Sequence, residues 1–202
     1  MKYATLILAG LCIAMFVVQS SIGTDAVILQ RSLISTEPWR LITSIFAHDG
    51  IGHLLSNMFA LVLFGLLLEV RIGSGRLVAL FLGSGLLVNV LTPYEQSLGA
   101  SGAIMGIIGA LTVLSPRLPV WVAGLPMPLI FASVVWLVQD FVGIFVPSTI
   151  GHIAHLIGLV LGVAVGFFWR KQFGDHKKKS SRVSDKGLDS ALDDYERRYR
   201  LR

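Results

Sequence analysis

The sequence predicts an all-α polytopic membrane protein: a bundle of six transmembrane helices with an embedded first outer loop. Three observations carry this. Of the 202 residues, 54% are hydrophobic and the mean hydropathy is +0.74. Only 14% are charged, against about 25% in a soluble domain. Six apolar segments also reach the length of a spanning helix, which is roughly 20 residues and about 17 at the short end. They lie at about 3–20, 52–70, 76–92, 99–115, 125–144 and 152–169.

The first segment resembles a signal peptide only superficially. Its apolar run from Tyr3 to Val18 is at or beyond the usual ~7–15 residues of such a core, and only Lys2 precedes it. It therefore reads as a retained span. It holds the single cysteine, Cys12, so no intrachain disulfide forms. With the N-terminus inside, the inner side carries Lys2, Arg71, Arg76, Arg117 and the eleven Lys and Arg from Arg170 onward; the outer side carries Arg31 and Arg40. Fifteen against two places both termini in the cytoplasm, and an even number of spans agrees.

The outer loop of about 21–51 is long and not uniformly polar. It contains Ile28-Leu29, Leu33-Ile34, Trp39 and the run Leu41 to Ala47. It is expected to pack at the interface with Trp39 at headgroup depth. The turn from Arg71 to Arg76 holds two glycines and reads as a tight inner reversal. Residues 1–170 form the membrane domain and 171–202 a basic cytoplasmic tail. Such a tail suits anionic lipid headgroups rather than nucleic acid. Within it, Leu188, Leu192, Tyr195 and Tyr199 fall at helical spacing, with Asp189, Asp193 and Asp194 early and Arg197, Arg198 and Arg200 late. That pattern fits either a short amphipathic surface helix or a solvated tail.

The chemistry concentrates in three apolar segments. Gly99-Ala100-Ser101-Gly102 opens the fourth and sets a serine between glycines at its mouth. In the sixth, Gly151, His155, Gly158, Gly162 and Gly166 follow spacings of four, three, four and four, so they share one helix face. The fourth segment has its own stripe of Gly102, Gly106 and Gly109. Small residues at such spacing let helices approach closely. If the stripes pack, Ser101 meets His155 at matched depth, as a nucleophile–base pair needs. His152, one turn further out, is the weaker candidate base. In the second segment His53 and Asn57 stand at i and i+4 and present two hydrogen-bond donors suited to a developing oxyanion, beside the Ser101 N–H. His48 reads as structural, bonding toward Gly99. Glu69 lies at an inner helix end, Asp140 at the outer end of the fifth segment, and Asp49 and Glu95 in outer loops. No carboxylate is expected to complete a triad, so a Ser–His dyad is the economical reading. No H-E-x-x-H motif, intramembrane aspartate pair or P-loop occurs, and no metal or cofactor is implied.

At these residues the chain resembles the rhomboid intramembrane serine proteases in their prokaryotic six-helix form. The likeness covers roughly 38–169 and rests on Trp39-Arg40, His53 with Asn57, Gly99-Ala100-Ser101-Gly102 with Gly106, and His155 with Gly158 and Gly162. It implies Ser101 as nucleophile and His155 as base and acid. The oxyanion would be held by the Ser101 and Ala100 N–H groups and the side chains of His53 and Asn57. The resemblance further implies a water-filled cavity open to the outer side of a plasma membrane. Substrates would be single-pass membrane proteins, cut near the outer membrane face, and no nucleic acid partner is implied. The first outer loop would act as lateral support, and the fifth helix and the loop after Glu95 as gating elements. The alternative within this fold is a non-catalytic binder of membrane helices. A small transporter is disfavoured by the absence of an internal repeat.

Overall fold

The computed structural model describes residues 3–146 and 150–173. The expected tail helix, and Lys2 with most of the tail's positive charge, lie outside them. Seven α-helices occur among the described residues. In chain order they are α1 (Ala4–Ile22), α2 (Arg40–Phe46), α3 (Ile51–Ile72), α4 (Ser74–Leu91), α5 (Ser101–Leu114), α6 (Leu129–Gly143) and α7 (His152–Phe173). Four of them, α1, α3, α4 and α7, are long and apolar enough to cross a membrane. α5 and α6 are apolar but shorter, at 14 and 15 residues. Each of the six expected segments thus contains one helix. The short α2 is the apolar run of the first loop, and it buries Arg40, Ser44, Ile45 and Phe46.

One boundary departs from the expectation. The fifth segment does not become helical at Leu125. Residues Pro119–Val122 (β3) and Leu125–Pro128 (β4) pair as an antiparallel hairpin, and the helix starts at Leu129. Pro119, Pro126 and Pro128 cannot supply the N–H groups a helix needs. Ala123 and Gly124 both have positive φ, 50° and 81°, as a two-residue hairpin turn requires. The tight reversal after α3 is as expected: α3 ends at Ile72, Gly73 turns the chain at φ 83°, and α4 begins at Ser74.

The first loop is a framework of hydrogen bonds. Arg40 is buried and donates to the carbonyls of Asp25 (2.6 Å) and Ile28 (2.9 Å) and to the Glu37 carboxylate (2.6 Å). Trp39 beside it is exposed. Two-residue strands at Leu29–Gln30 (β1) and Gln96–Ser97 (β2) pair antiparallel. Arg31 donates to the carbonyls of Tyr94, Asn89 and Thr92. The Gly99 N–H donates to the Ser44 carbonyl at 2.8 Å, and Asn89 ties α4 to Leu41 and Ser44 of α2. The loop after Glu95 is therefore strapped to the first loop along its whole length. At the opposite end of the bundle, fully buried Glu69 accepts from the N–H groups of Ala4 and Thr5 and the hydroxyls of Thr5 and Ser74, all within 3.0 Å. It satisfies orphan donors at the start of α1 and joins three helices there.

α5 is the centre of the fold. Every residue from Gly102 to Thr112 is buried, and α7 is the neighbour it contacts most extensively. The two glycine stripes do meet. A methyl group at Gly158 would collide with the Gly102 carbonyl oxygen, and one at Gly162 with that of Gly106. The stripe on α5 has a second use. Its own Cα–H bonds at Gly102 and Gly106 point to Val88 and Ser84 of α4, where a Cβ would come within 2.9 Å and 2.7 Å of side-chain carbons. Gly151, by contrast, has room for a Cβ, with nothing nearer than 3.5 Å. Gly162→Val is expected to destabilise the protein by about 3 kcal/mol or more, since it overpacks against backbone that cannot yield. Gly151→Ala should be near neutral. Unfolding midpoints in detergent micelles test the pair, and equal midpoints for the two variants would contradict this packing.

Candidate active site

Ser101 is the first residue of α5, and the turn before it explains its surroundings. Gly99 has φ +110°, a region closed to residues with a side chain. A Cβ there would also lie 2.9 Å from Cε1 and 3.0 Å from Nε2 of His53. The first hydrogen bond of the helix runs from the Ile104 N–H to the Ala100 carbonyl. The N–H groups of Ser101, Gly102 and Ala103 therefore have no partner within the helix, and they carry the positive end of its dipole. All three residues border a cavity of about 690 Å³.

His53, Asn57, Gly99 and His155 line the same cavity, together with Asp49, Asn89 and Tyr94. Four segments remote in sequence thus converge on one space, where these side chains stand among apolar ones. His155 stands in the first turns of α7 and His53 and Asn57 in the first turns of α3. Among the described residues no hydrogen bond joins Ser101 to His155; they share the cavity without being drawn together. His53 Nδ1 lies 2.7 Å from Asp49 Oδ1. Asn57 Nδ2 donates one hydrogen to the His53 carbonyl at 2.9 Å, leaving its second free of that bond. Ala100 is fully buried beneath Ser101. Trp39, Arg40, Gly106, Gly158 and Gly162 do not border the cavity; they hold the loop and the helix contacts around it.

Two expectations need correction. His48 does not reach Gly99; the ring against Gly99 is that of His53. His48 is fully buried, with Nδ1 3.0 Å from the Phe46 carbonyl and its ring edge-on to His53 at a centroid distance of 5.0 Å. Its backbone groups are held by the side-chain amide of Gln19 in α1. Burial, and next the neighbouring His53, push its pKa down to about 4 from an ordinary 6.5.

The second correction concerns the missing carboxylate. Asp140 Oδ1 lies 3.1 Å from Nδ1 of His155 and 2.7 Å from Nδ1 of His152. The antiparallel packing of α6 and α7 brings the last turn of one against the first turn of the other. Asp140 was visible at an outer helix end, and so were both histidines; the link is the adjacency of consecutive antiparallel helices. His152 is wedged against α6, where a Cβ on Gly143 would strike its ring, and it does not border the cavity. Of the two candidate bases, only His155 shares a space with Ser101. Asp140, His152 and His155 are also the one group of three potential metal ligands among the described residues, their ligand atoms lying within 4.8 Å of one another. Nδ1 of both histidines faces the same carboxylate oxygen, Oδ1 of Asp140.

A fold of apolar helices, four of them long enough to cross a membrane, around a cavity at the start of α5 defines a multi-pass membrane protein. Residues 35–172 match the family model described as Rhomboid domain, and the chain belongs to the rhomboid family. Its relatives include RHOMBOID-like protein 6, mitochondrial, of Arabidopsis thaliana, 34% identical over 65% of this chain and 43% of that protein. They also include the rhomboid proteases GlpG of Klebsiella pneumoniae, 30% identical over 78% of this chain and 59% of the relative, and of Serratia proteamaculans, 29% over 87% and 65%. The chain thus spans about two fifths to two thirds of the length of these relatives.

The His48 shift sets a pH dependence of stability. The folded state keeps His48 neutral down to about pH 4, while the unfolded chain takes up a proton near 6.5. Between those values the unfolded state binds more protons, so stability rises with pH and is lost as pH falls through this window. Thermal unfolding of the wild type should weaken from pH 6.5 to pH 4, with a shallower slope in His48→Gln. Equal slopes would contradict a buried neutral His48.

Proposed function

We propose that this chain is an intramembrane serine endopeptidase that hydrolyses peptide bonds in or next to transmembrane segments of single-pass membrane proteins through an acyl-enzyme. The observation that carries this reading is the convergence of Ser101, His155, His53 and Asn57 on one cavity at the N-terminus of a buried helix. The Ser101 hydroxyl oxygen attacks the scissile carbonyl carbon while His155 takes its proton. The resulting oxyanion is stabilised by the Ser101 and Ala100 N–H groups and the side chains of His53 and Asn57. His155 then returns the proton to the leaving amine as the C–N bond breaks. Water adds to the acyl-enzyme by the same route and frees Ser101.

Six helices, α1 and α3 to α7, cross the plasma membrane in this reading, with both termini cytoplasmic and the cavity opening outward. Length supports the depth of the site. Fourteen residues of α5 rise about 21 Å, less than the ~30 Å of hydrocarbon. Ser101 therefore stops short of the outer surface, and the cavity fills the remainder. Charge supports the orientation. Arg71 caps the Leu114 carbonyl at the far end of α5, and Arg76 sits 4.8 Å over the Phe173 ring beside Arg170 and Lys171. These basic groups gather opposite the cavity, as the cytoplasmic side requires.

The test is cleavage of a single-pass reporter and labelling by a fluorophosphonate probe, using purified wild type, Ser101→Ala and His155→Ala. Wild type should cleave and label. Each variant should lose about 10³-fold or more in kcat/KM while keeping the wild-type unfolding midpoint. Equal cleavage by either variant would refute the assignment. A folded wild type that neither cleaves nor labels would point to a non-catalytic binder of membrane helices.

A further inference from the structure

Resting on the protease reading, we propose that Asp140 is a positioning residue that holds and charges His155 through Nδ1, and that His152 tempers it by donating to the same oxygen. Asp140 stands in the last turn of α6 with its side chain 8% exposed. A buried carboxylate is tolerated only when it is hydrogen-bonded, and its contacts here are Nδ1 of His152 at 2.7 Å and of His155 at 3.1 Å. A carboxylate only accepts, so each Nδ1 carries the hydrogen. That fixes the tautomer of His155: the lone pair is on Nε2, the form required to take the Ser101 proton. When that proton moves, positive charge forms on a ring already bonded to a carboxylate, which stabilises it.

His152 acts on the same oxygen from the other side. Its Nδ1–H bond draws part of the Asp140 charge away from His155, and it keeps the carboxylate in place while His155 cycles. The space for this is specific, because Gly143 on α6 is the only residue type that leaves room for the His152 ring. The two partners of His155 should therefore have opposite effects on its protonation. The other titratable groups around it are Tyr94, whose hydroxyl accepts from the Ile153 N–H at 3.2 Å, and His53 and Asp49 across the cavity. None of them distinguishes Asp140 from His152.

The experiment measures pH–rate profiles for wild type, Asp140→Asn and His152→Phe, and the imidazole tautomers by nitrogen NMR in a Ser101→Ala background. Asp140→Asn should lower kcat about 10²–10⁴-fold with little change in KM, and move the acid limb of the profile to lower pH. His152→Phe should retain turnover and move the acid limb to higher pH. NMR should find His155 protonated at Nδ1 in Ser101→Ala, with that signature lost on adding Asp140→Asn. Acid limbs that stay in place, or move the same way in both variants, would overturn the proposal, as a purely structural role predicts. His155 protonated at Nε2 in Ser101→Ala would overturn it even if Asp140→Asn failed to fold. Because the NMR needs no turnover, an inactive wild type would count against the protease reading and leave the Asp140 geometry to be judged separately.

Discussion

Backbone-to-backbone contact between α5 and α7 is the constraint on which the rest of the structure depends. In lipid, apolar side chains gain little by leaving the solvent for each other, so helices associate through close packing and polar contacts. Gly158 and Gly162 press against the carbonyl oxygens of Gly102 and Gly106, which brings the two axes near the minimum separation. The other side of the same α5 glycines receives Val88 and Ser84 of α4. α5 is thereby clamped from two directions, and Ser101 and His155, in the first turns of the clamped helices, face one cavity as a consequence.

Polar groups elsewhere follow from the cost of leaving backbone unpaired in an apolar medium. The irregular chain of the first loop and of the segment between α4 and α5 is supplied with partners. Arg31 and Arg40 together take up five carbonyls of the outer loops and the ends of α4. β1 and β2 pair, and Ser44 receives the Gly99 N–H. The first loop therefore supports the site from outside, yet its bonds run to the very turn that presents Ser101. Support and site are continuous here. The same economy explains Glu69, which sits where the N–H groups of α1 and the hydroxyls of Thr5 and Ser74 would otherwise be unsatisfied.

Asp140 shows how a functional centre extends beyond the residues that border it. It lines no part of the cavity, and it touches the cavity wall only through His155. The same carboxylate oxygen faces a second imidazole, His152, which stands outside the cavity wall.

The sequence by itself determined the apolar segments, their order and the faces that pack. Length and hydropathy specify a spanning helix, and glycines at helical spacing specify a contact face, because both are properties of one segment. That Ser101 and His155 share one cavity was legible for the same reason, each lying at the start of a segment with such a face. Only the tertiary structure decided what depends on two segments at once. The β1–β2 ladder joins residues more than sixty apart, too short on either strand to leave a pattern. The 119–128 hairpin is the exception, since Pro119, Pro126, Pro128 and Gly124 mark it locally although hydropathy alone runs through it. His53, in the first turn of α3, meets Gly99, while His48, in the loop before that helix, is held by Gln19 and the Phe46 carbonyl. Asp140 met His155 through the crossing of α6 and α7, a distance that no spacing along the chain encodes.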